Sequence, residues 1–301
     1  MIERQLHILR DFITKNIDSD YVYVDVPLYW NIGDWLIAMG AWELLKAVPF
    51  RCLGKLRWFE YERTRIKPNT IILLQGGGNF GDLWRGATEM RNEVIEKYPN
   101  NKIIILPQTI TYLDRDLLKK DAEIYSRHKN LHICARDNAS YEILREYFHE
   151  NYLYLLPDTS IGLYPSLPKN KKSTKTSKSL IINRKDKEAD ALFEAKNGEE
   201  KEWDDILRAI CFPIVWQPYR LIRYVRKRSK NELIFSIENR YVLNVLYPYV
   251  RKNIPRYFLQ YSEVKTTRLH GYLLASMLHM PVEIIDNKYH KLSNYITTWR
   301  K

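Results

Sequence analysis

Five short apolar runs, separated by segments with helical spacing, constrain this chain more than any other feature. They are Tyr21 to Val26, Thr70 to Leu74, Lys102 to Leu106, Leu131 to Cys134 and Tyr152 to Leu156. A strand that is apolar at consecutive positions buries both of its faces. That happens in a parallel sheet covered by helices on each side. The intervening segments supply the helices: about Trp35 to Leu45, a segment ending near Tyr98, about Asp114 to His128, and one ending near Tyr147. The first half thus predicts an α/β unit. Ahead of it, Met1 to Asn16 alternates charge with apolar residues at helical spacing and lacks the apolar core of a signal peptide.

A polar, lysine-rich stretch without periodicity, Pro168 to Lys178, reads as a solvated linker. A second α/β unit starts at Leu180-Ile181-Ile182. It continues through a charged helix around Lys187 to Ile210, a strand at Glu232 to Ile237 and a helix near Arg240 to Arg251. A polar run, Ser262 to Lys265, and a helix-like run, Tyr272 to Met280, precede a last strand at Val282 to Ile285 and a terminal helix, Lys288 to Trp299. The expected division is 1–167, a linker at 168–178, and 179–301; a length of 301 residues also favours two domains. Two such units place a site in the cleft between them, near the carboxyl ends of their strands.

The formal net charge is +12, so an anionic partner is expected: a phosphate-bearing substrate, acidic polysaccharide, anionic membrane or nucleic acid. No nucleic-acid module is recognisable, which sets the last aside. Cys52, Cys134 and Cys211 are far apart, giving neither a disulfide framework nor metal spacing, so a reducing compartment is expected. No apolar run approaches the ~20 residues that span a bilayer. The expectation is a cytoplasmic protein, either soluble or peripheral at the inner face of the membrane.

Thr266-Thr267-Arg268-Leu269-His270-Gly271 sets a fixed positive charge and an imidazole two residues apart at the entrance of a helix. Such a pair can hold an anion and move a proton in one place. It can equally be a surface charge beside a hydrogen-bonded helix start. Gly76-Gly77-Gly78-Asn79-Phe80-Gly81 matches G-x-G-x-x-G, but the acidic residue that a dinucleotide site needs is absent: the next strand ends in Leu106-Pro107-Gln108. The glycine loop either lets a backbone approach a ligand or makes a tight turn. In Asn31-Ile32-Gly33-Asp34, Asp34 is either a helix cap or a carboxylate that orients an acceptor hydroxyl. Arg184 follows a strand at the edge where such sheets bind ligands, and an arginine suits phosphate or carboxylate. Phe212 to Lys230 is basic and aromatic, fit to lie on an anionic membrane or over a cleft. His279 and His290 read as structural or exposed. No zinc, serine-hydrolase or kinase signature is present.

Taken in order, Asn31-Ile32-Gly33-Asp34, Gln75-Gly76-Gly77-Gly78-Asn79, Pro107-Gln108-Thr109, Ala135-Arg136-Asp137, Pro157-Asp158, Thr267-Arg268-Leu269-His270-Gly271 and Asp286 to Leu292 resemble the polysaccharide pyruvyl transferase family. The resemblance runs from about residue 21 to 299. It implies two Rossmann-like domains arranged as in the GT-B glycosyltransferases. It also implies transfer of a pyruvyl group from phosphoenolpyruvate to a sugar, making a cyclic ketal, with no cofactor and no metal. Carried onto this chain, Arg184, Thr267, Arg268, His270 and Gly271 serve the donor. Asn31, Gly33, Asp34, Gly76, Gly77, Gly78, Asn79 and Gln108 serve a sugar or lipid-linked glycan acceptor. His270, Arg268 and Asp34 carry the chemistry. Arg184 follows Ile-Asn, a departure from the Val-Arg expected of the family, and the basic segment at 212–230 is no part of its pattern. A sugar-nucleotide glycosyltransferase and a non-catalytic glycan-binding protein are the alternatives.

Overall fold

The structure, a computed structural model, describes residues 1–29, 31–58, 60–168, 178–184, 198–211, 214–229, 231–286 and 290–300. The chain forms two compact units: Met1–Pro27 with Gly40–Tyr164 and Ser293–Lys301, and Leu28–Met39 with Pro165–Leu292. Of the linker expected at 168–178, residues 169–177 lie outside the described residues, as does 187–197 of the charged helix expected after it.

The first unit opens with α1 (Ile2–Asn16) and β1 (Tyr21–Val24), then takes in the second half of α2 (Ile32–Leu44). There follow β2 (Cys52–Leu56), β3 (Ile71–Leu74), β4 (Gly77–Gly81), α3 (Arg85–Lys97) and β5 (Ile103–Thr111). It continues with α4 (Arg115–Ser126), β6 (Leu131–Ala135), α5 (Asn138–Tyr147) and β7 (Tyr152–Leu155). The strands form one sheet in the order β2-β1-β3-β5-β6-β7, with β4 paired to β5, and every pairing is parallel. Ile72, Leu74, Ile103 and Ile105 fill one face, and Tyr23, Leu73, Ile104 and Cys134 are as fully buried on the other. That two-sided burial is why these strands lack polar alternation. Asp114 and Asp137 cap α4 and α5, each accepting backbone N–H groups of the first turn.

The glycine stretch is a strand, not the loop expected. Gly77 lies opposite Gln108 and Gly81 opposite Thr111, so β5 runs on through Pro107 to Thr111, well past the expected end at Leu106. At both ends of β4 a glycine lies directly against β5. A Cβ on Gly81 would stand 1.8 Å from the Thr111 carbonyl oxygen, and its φ of +130° is one that L side chains avoid.

The second unit comprises β8 (Ser179–Ile182), β9 (Glu199–Lys201), α6 (Trp203–Cys211), α7 (Trp216–Arg228) and α8 (Glu232–Tyr241). A π-helical turn (Val242–Leu246) leads into α9 (Tyr247–Phe258), then β10 (Glu263–Thr266), α10 (Leu269–Met277) and β11 (Val282–Ile284). Helix α11 (Lys291–Trp299) starts here and continues into the first unit. The sheet order is β11-β10-β8-β9, again all parallel. Within the charged helix expected around Lys187 to Ile210, Glu199–Lys201 is instead strand β9, and the strand expected at 232–237 fails too. Glu232 to Ile237 is helix, because the Asn231 carboxamide caps it by accepting the Leu233 N–H at 2.9 Å; a short apolar run does not by itself choose between strand and helix. The polar run at 262–265 is β10: Val264 and Thr266 are buried while Lys265 turns outward to Glu283 of β11 at 2.8 Å. No helix among the described residues is long and apolar enough to cross a membrane.

Candidate active site

In the second unit, Thr266 stands opposite Ile182 in the parallel pairing of β10 with β8. The chain beyond each strand is tied to the other by Thr267. Its N–H donates to the Ile182 carbonyl at 3.0 Å, and its hydroxyl accepts the Arg184 N–H at 2.8 Å. Strand neighbours lie about 4.8 Å apart, so this clasp sets Arg184 and Arg268 at adjacent strand ends. Thr266 takes over next. Its hydroxyl accepts the Arg268 N–H at 2.9 Å and donates to the Arg268 carbonyl at 3.1 Å. Arg268 is thereby held extended (φ −110°, ψ 130°) as the N-cap of α10, and His270 falls in the first turn. Gly271 follows in that turn, packed over the Thr266 side chain. Arg184, Arg268 and His270 are all half-buried.

The start of α2 also belongs to this unit, although chain order puts it among the strands of the first half. Trp35 explains its docking: it is buried, with its ring centroid 5.1 Å from that of Tyr247 on α9. Asn31 is the cap here. Its carboxamide oxygen accepts the Gly33 N–H at 3.0 Å, and its amide donates to Asp34 at 2.8 Å. Asp34 sits in the first turn rather than at the cap. A Cβ on Gly33 would stand 2.5 Å from Nδ1 of His270, so the missing side chain is what lets the imidazole rest against this helix. Two helix N-termini, each with outward N–H groups and the positive end of a backbone dipole, therefore meet at His270, next to the strand ends that carry Arg184 and Arg268. That is a strong setting for a ligand bearing more than one negative charge. Asn31, Gly33, Asp34, Arg184, Thr267, Arg268, His270 and Gly271 are gathered in it. Thr266, which positions Arg268, was missed as a site residue; a threonine two places before a helix cap is its signal.

The remaining candidates, Gly76, Gly77, Gly78, Asn79 and Gln108, lie in the first unit. Gln108 is fully buried and donates to the Gln75 carbonyl at 2.7 Å, while the Tyr23 hydroxyl bonds the Gln75 side chain. Asn79 is bonded by the buried guanidinium of Arg91. Three further motifs of the resemblance meet in one buried network. Arg136 pairs with Asp158 at 2.7 Å and donates to Thr109 at 2.8 Å, and Thr109 donates to Asp137 at 2.8 Å. The Tyr295 hydroxyl accepts the Asp158 N–H at 3.2 Å, and the Trp299 indole donates to the Arg136 carbonyl at 2.8 Å. These motifs hold the carboxyl ends of β5, β6 and β7 in place.

Comparison with known proteins points one way. The polysaccharide pyruvyl transferase family model matches residues 31–289. The "Putative pyruvyl transferase EpsO" of Bacillus subtilis (strain 168) is 37% identical over 308 aligned positions, covering 99% of this chain and 90% of EpsO. "Pyruvyl transferase 1" of Schizosaccharomyces pombe is 25% identical over 237 positions, covering 76% of this chain and 54% of that protein. A crystal structure of an uncharacterized protein from Klebsiella pneumoniae shares the fold, with a TM-score of 0.57 at 19% identity over 99% of this chain and 94% of that one. Both the motifs and nearly the whole length of the chain are thus accounted for by one kind of enzyme, a transferase, and this chain belongs to the polysaccharide pyruvyl transferase family.

Proposed function

We propose that the protein moves a pyruvyl group from phosphoenolpyruvate onto two hydroxyls of a sugar in a polysaccharide or its precursor, leaving a cyclic ketal and inorganic phosphate. The observation that carries the reading is the Thr267 clasp, which sets Arg184 and Arg268 at neighbouring strand ends with His270 two residues beyond Arg268, in the first turn of α10. Phosphoenolpyruvate bears a phosphate and a carboxylate, and two arginines suit them. In the reaction, a proton adds to the methylene carbon and positive charge develops at the central carbon. One sugar oxygen bonds there, the carbon–oxygen bond to phosphate breaks, and the second sugar oxygen closes the ring. Two hydroxyl protons leave; one is matched by the new methyl C–H and the other departs with phosphate. His270 moves protons, since an imidazole gives and takes them near neutrality. The arginines steady the departing phosphate. Asp34 orients an acceptor hydroxyl, with the glycine strand and Gln108 on the acceptor side. The two units belong to the same proposal as Rossmann-like halves of a GT-B-type chain.

The test is phosphate release from phosphoenolpyruvate with candidate glycans, alongside the ketal methyl signal by NMR. Arg268→Ala and His270→Ala each lower turnover by about 100-fold or more while the fold is retained. Undiminished activity in both would sink the assignment. Tight binding of a nucleoside-diphosphate sugar with no affinity for phosphoenolpyruvate would favour a glycosyltransferase.

A further inference from the structure

Helices α7 and α8 hold up an apolar surface that the transferase chemistry does not use. Leu221, Tyr224 and Val225 are 41–64% exposed, and their spacing puts them on one face of α7, opposite the buried Tyr219; Ile214, 66% exposed, lies in the turn just before the helix. Leu233 and Ile237, four apart on α8, are 65% and 46% exposed. The hairpin beneath is built, not loose. Arg226 reaches buried Glu238 at 3.0 Å, and Asn231 caps α8 across a three-residue connection. Cations rim the stripe. Arg220, Lys227 and Arg228 are exposed, and the Arg228 guanidinium lies 3.6 Å from the Tyr224 ring centroid. Between residues 214 and 245 the sequence carries seven basic and two acidic residues, and one of those acids is the Glu238 already paired.

We propose that the α7–α8 hairpin is a membrane-surface contact. Its apolar stripe settles at the boundary of headgroups and acyl chains, and its arginines and lysine take the phosphates of anionic lipid. Charge decides between this and a protein partner. Aliphatic residues and tyrosine ringed by uncompensated cations match an anionic bilayer, whereas a protein partner would have to supply acidic residues to meet this excess of positive charge. With 13 residues, α7 is too short to span and long enough to lie flat. The inference does not depend on the donor chemistry, since vesicle binding is read without turnover.

The experiment is co-sedimentation of the full chain with phosphatidylcholine vesicles carrying 0 or about 30% phosphatidylglycerol, at low and high salt. Partition onto the anionic vesicles is expected to exceed that onto neutral ones by about tenfold or more, and to weaken with salt. The pair Arg220→Glu with Lys227→Glu, and separately Leu221→Ser with Tyr224→Ser, each lowers partition by about tenfold. All four positions are exposed, so these variants fold, and they turn over a water-soluble acceptor like the wild type. Absence of vesicle binding, equal binding to both vesicles, or wild-type binding by the serine pair overturns the proposal. Self-association without vesicle binding, lost in the serine pair, would give the stripe to a second copy of the chain and overturns it too.

Discussion

Gly33 shows how a single missing side chain places another residue's reactive atom. Within a helix, alanine in place of glycine normally stabilises by up to about 1 kcal/mol, though Gly33 is buried. Here the added methyl would stand 2.5 Å from His270 Nδ1, so the imidazole must move. Gly33→Ala is therefore expected to keep or slightly raise thermal stability while lowering turnover about tenfold or more, since misplacement of about 1 Å at a reacting group costs that much and beyond. Steady-state kinetics and a melting curve on the same preparation check it; unaltered turnover would mean that His270 does not depend on this contact. Asp158 belongs to a different class. Asp158→Asn leaves the buried Arg136 guanidinium without its counter-charge, and breaking such a pair costs about 3–5 kcal/mol. The chemical-denaturation midpoint of the first unit is expected to drop accordingly. Little of this was legible in the residues themselves. The caps Asp114 and Asp137 follow from local rules, but Arg136 and Asp158 are 22 positions apart, and nothing local says that they meet.

At the scale of elements, the clasp between β8 and β10 decides where the arginines go. Thr266 is fully buried, and its hydroxyl both accepts the Arg268 N–H and donates to the Arg268 carbonyl. Thr266→Val keeps the shape and removes both bonds, stranding a buried donor at a cost of about 1–3 kcal/mol. Because the bonds fix the backbone of Arg268, the KM for the donor is expected to rise more than kcat falls; an unaltered KM would separate the clasp from donor binding. Strands β1, β3, β5 and β6 were legible because burial on both faces leaves unbroken apolar runs; β2, a partly exposed edge strand, was not read. Nor was strand β10. It alternates Glu263, Val264, Lys265 and Thr266, and its charges are matched across the sheet, as Lys265 is with Glu283. The glycine strand was hidden for the opposite reason: of its five residues only Asn79 and Phe80 carry side chains, and glycine is usually a sign of turns. Helix α8 looked like a strand because its exposed apolar positions, Leu233 and Ile237, blur the periodicity that a one-sided helix would show.

At the scale of the whole molecule, the two sheets are legible from chain order, whereas the boundary between the units is not. Besides Pro27/Leu28 and Tyr164/Pro165 it falls inside α2 and α11, where packing rather than composition assigns each part. The same scale sets the response to acid. His132, at the start of β6, stacks on Tyr152 with ring centroids 4.6 Å apart; it contacts the Tyr154 hydroxyl and the Asn130 carboxamide, each at 3.0 Å. Burial, helped by the nearby Lys102 charge, pushes it down to about 4, with Asp18 opposing weakly. His128 is also lowered by burial, and its Nδ1 accepts the Asn130 N–H, which keeps that ring neutral. Both rings thus refuse a proton that the unfolded chain accepts at about pH 6.5. A folded value below the unfolded one means that the neutral native state is undisturbed above pH 6.5. Stability is then lost as pH falls from 6.5 toward 4, by at most about 3 kcal/mol for His132. Urea midpoints at several pH values between 7.5 and 4.5 are expected to fall across this window. His132→Phe, which preserves stacking on Tyr152, is expected to flatten the fall while costing stability at neutral pH through the two lost hydrogen bonds. His128 supplies the slope that remains. A variant that kept the full acid sensitivity of the wild type would move its origin to groups other than His132.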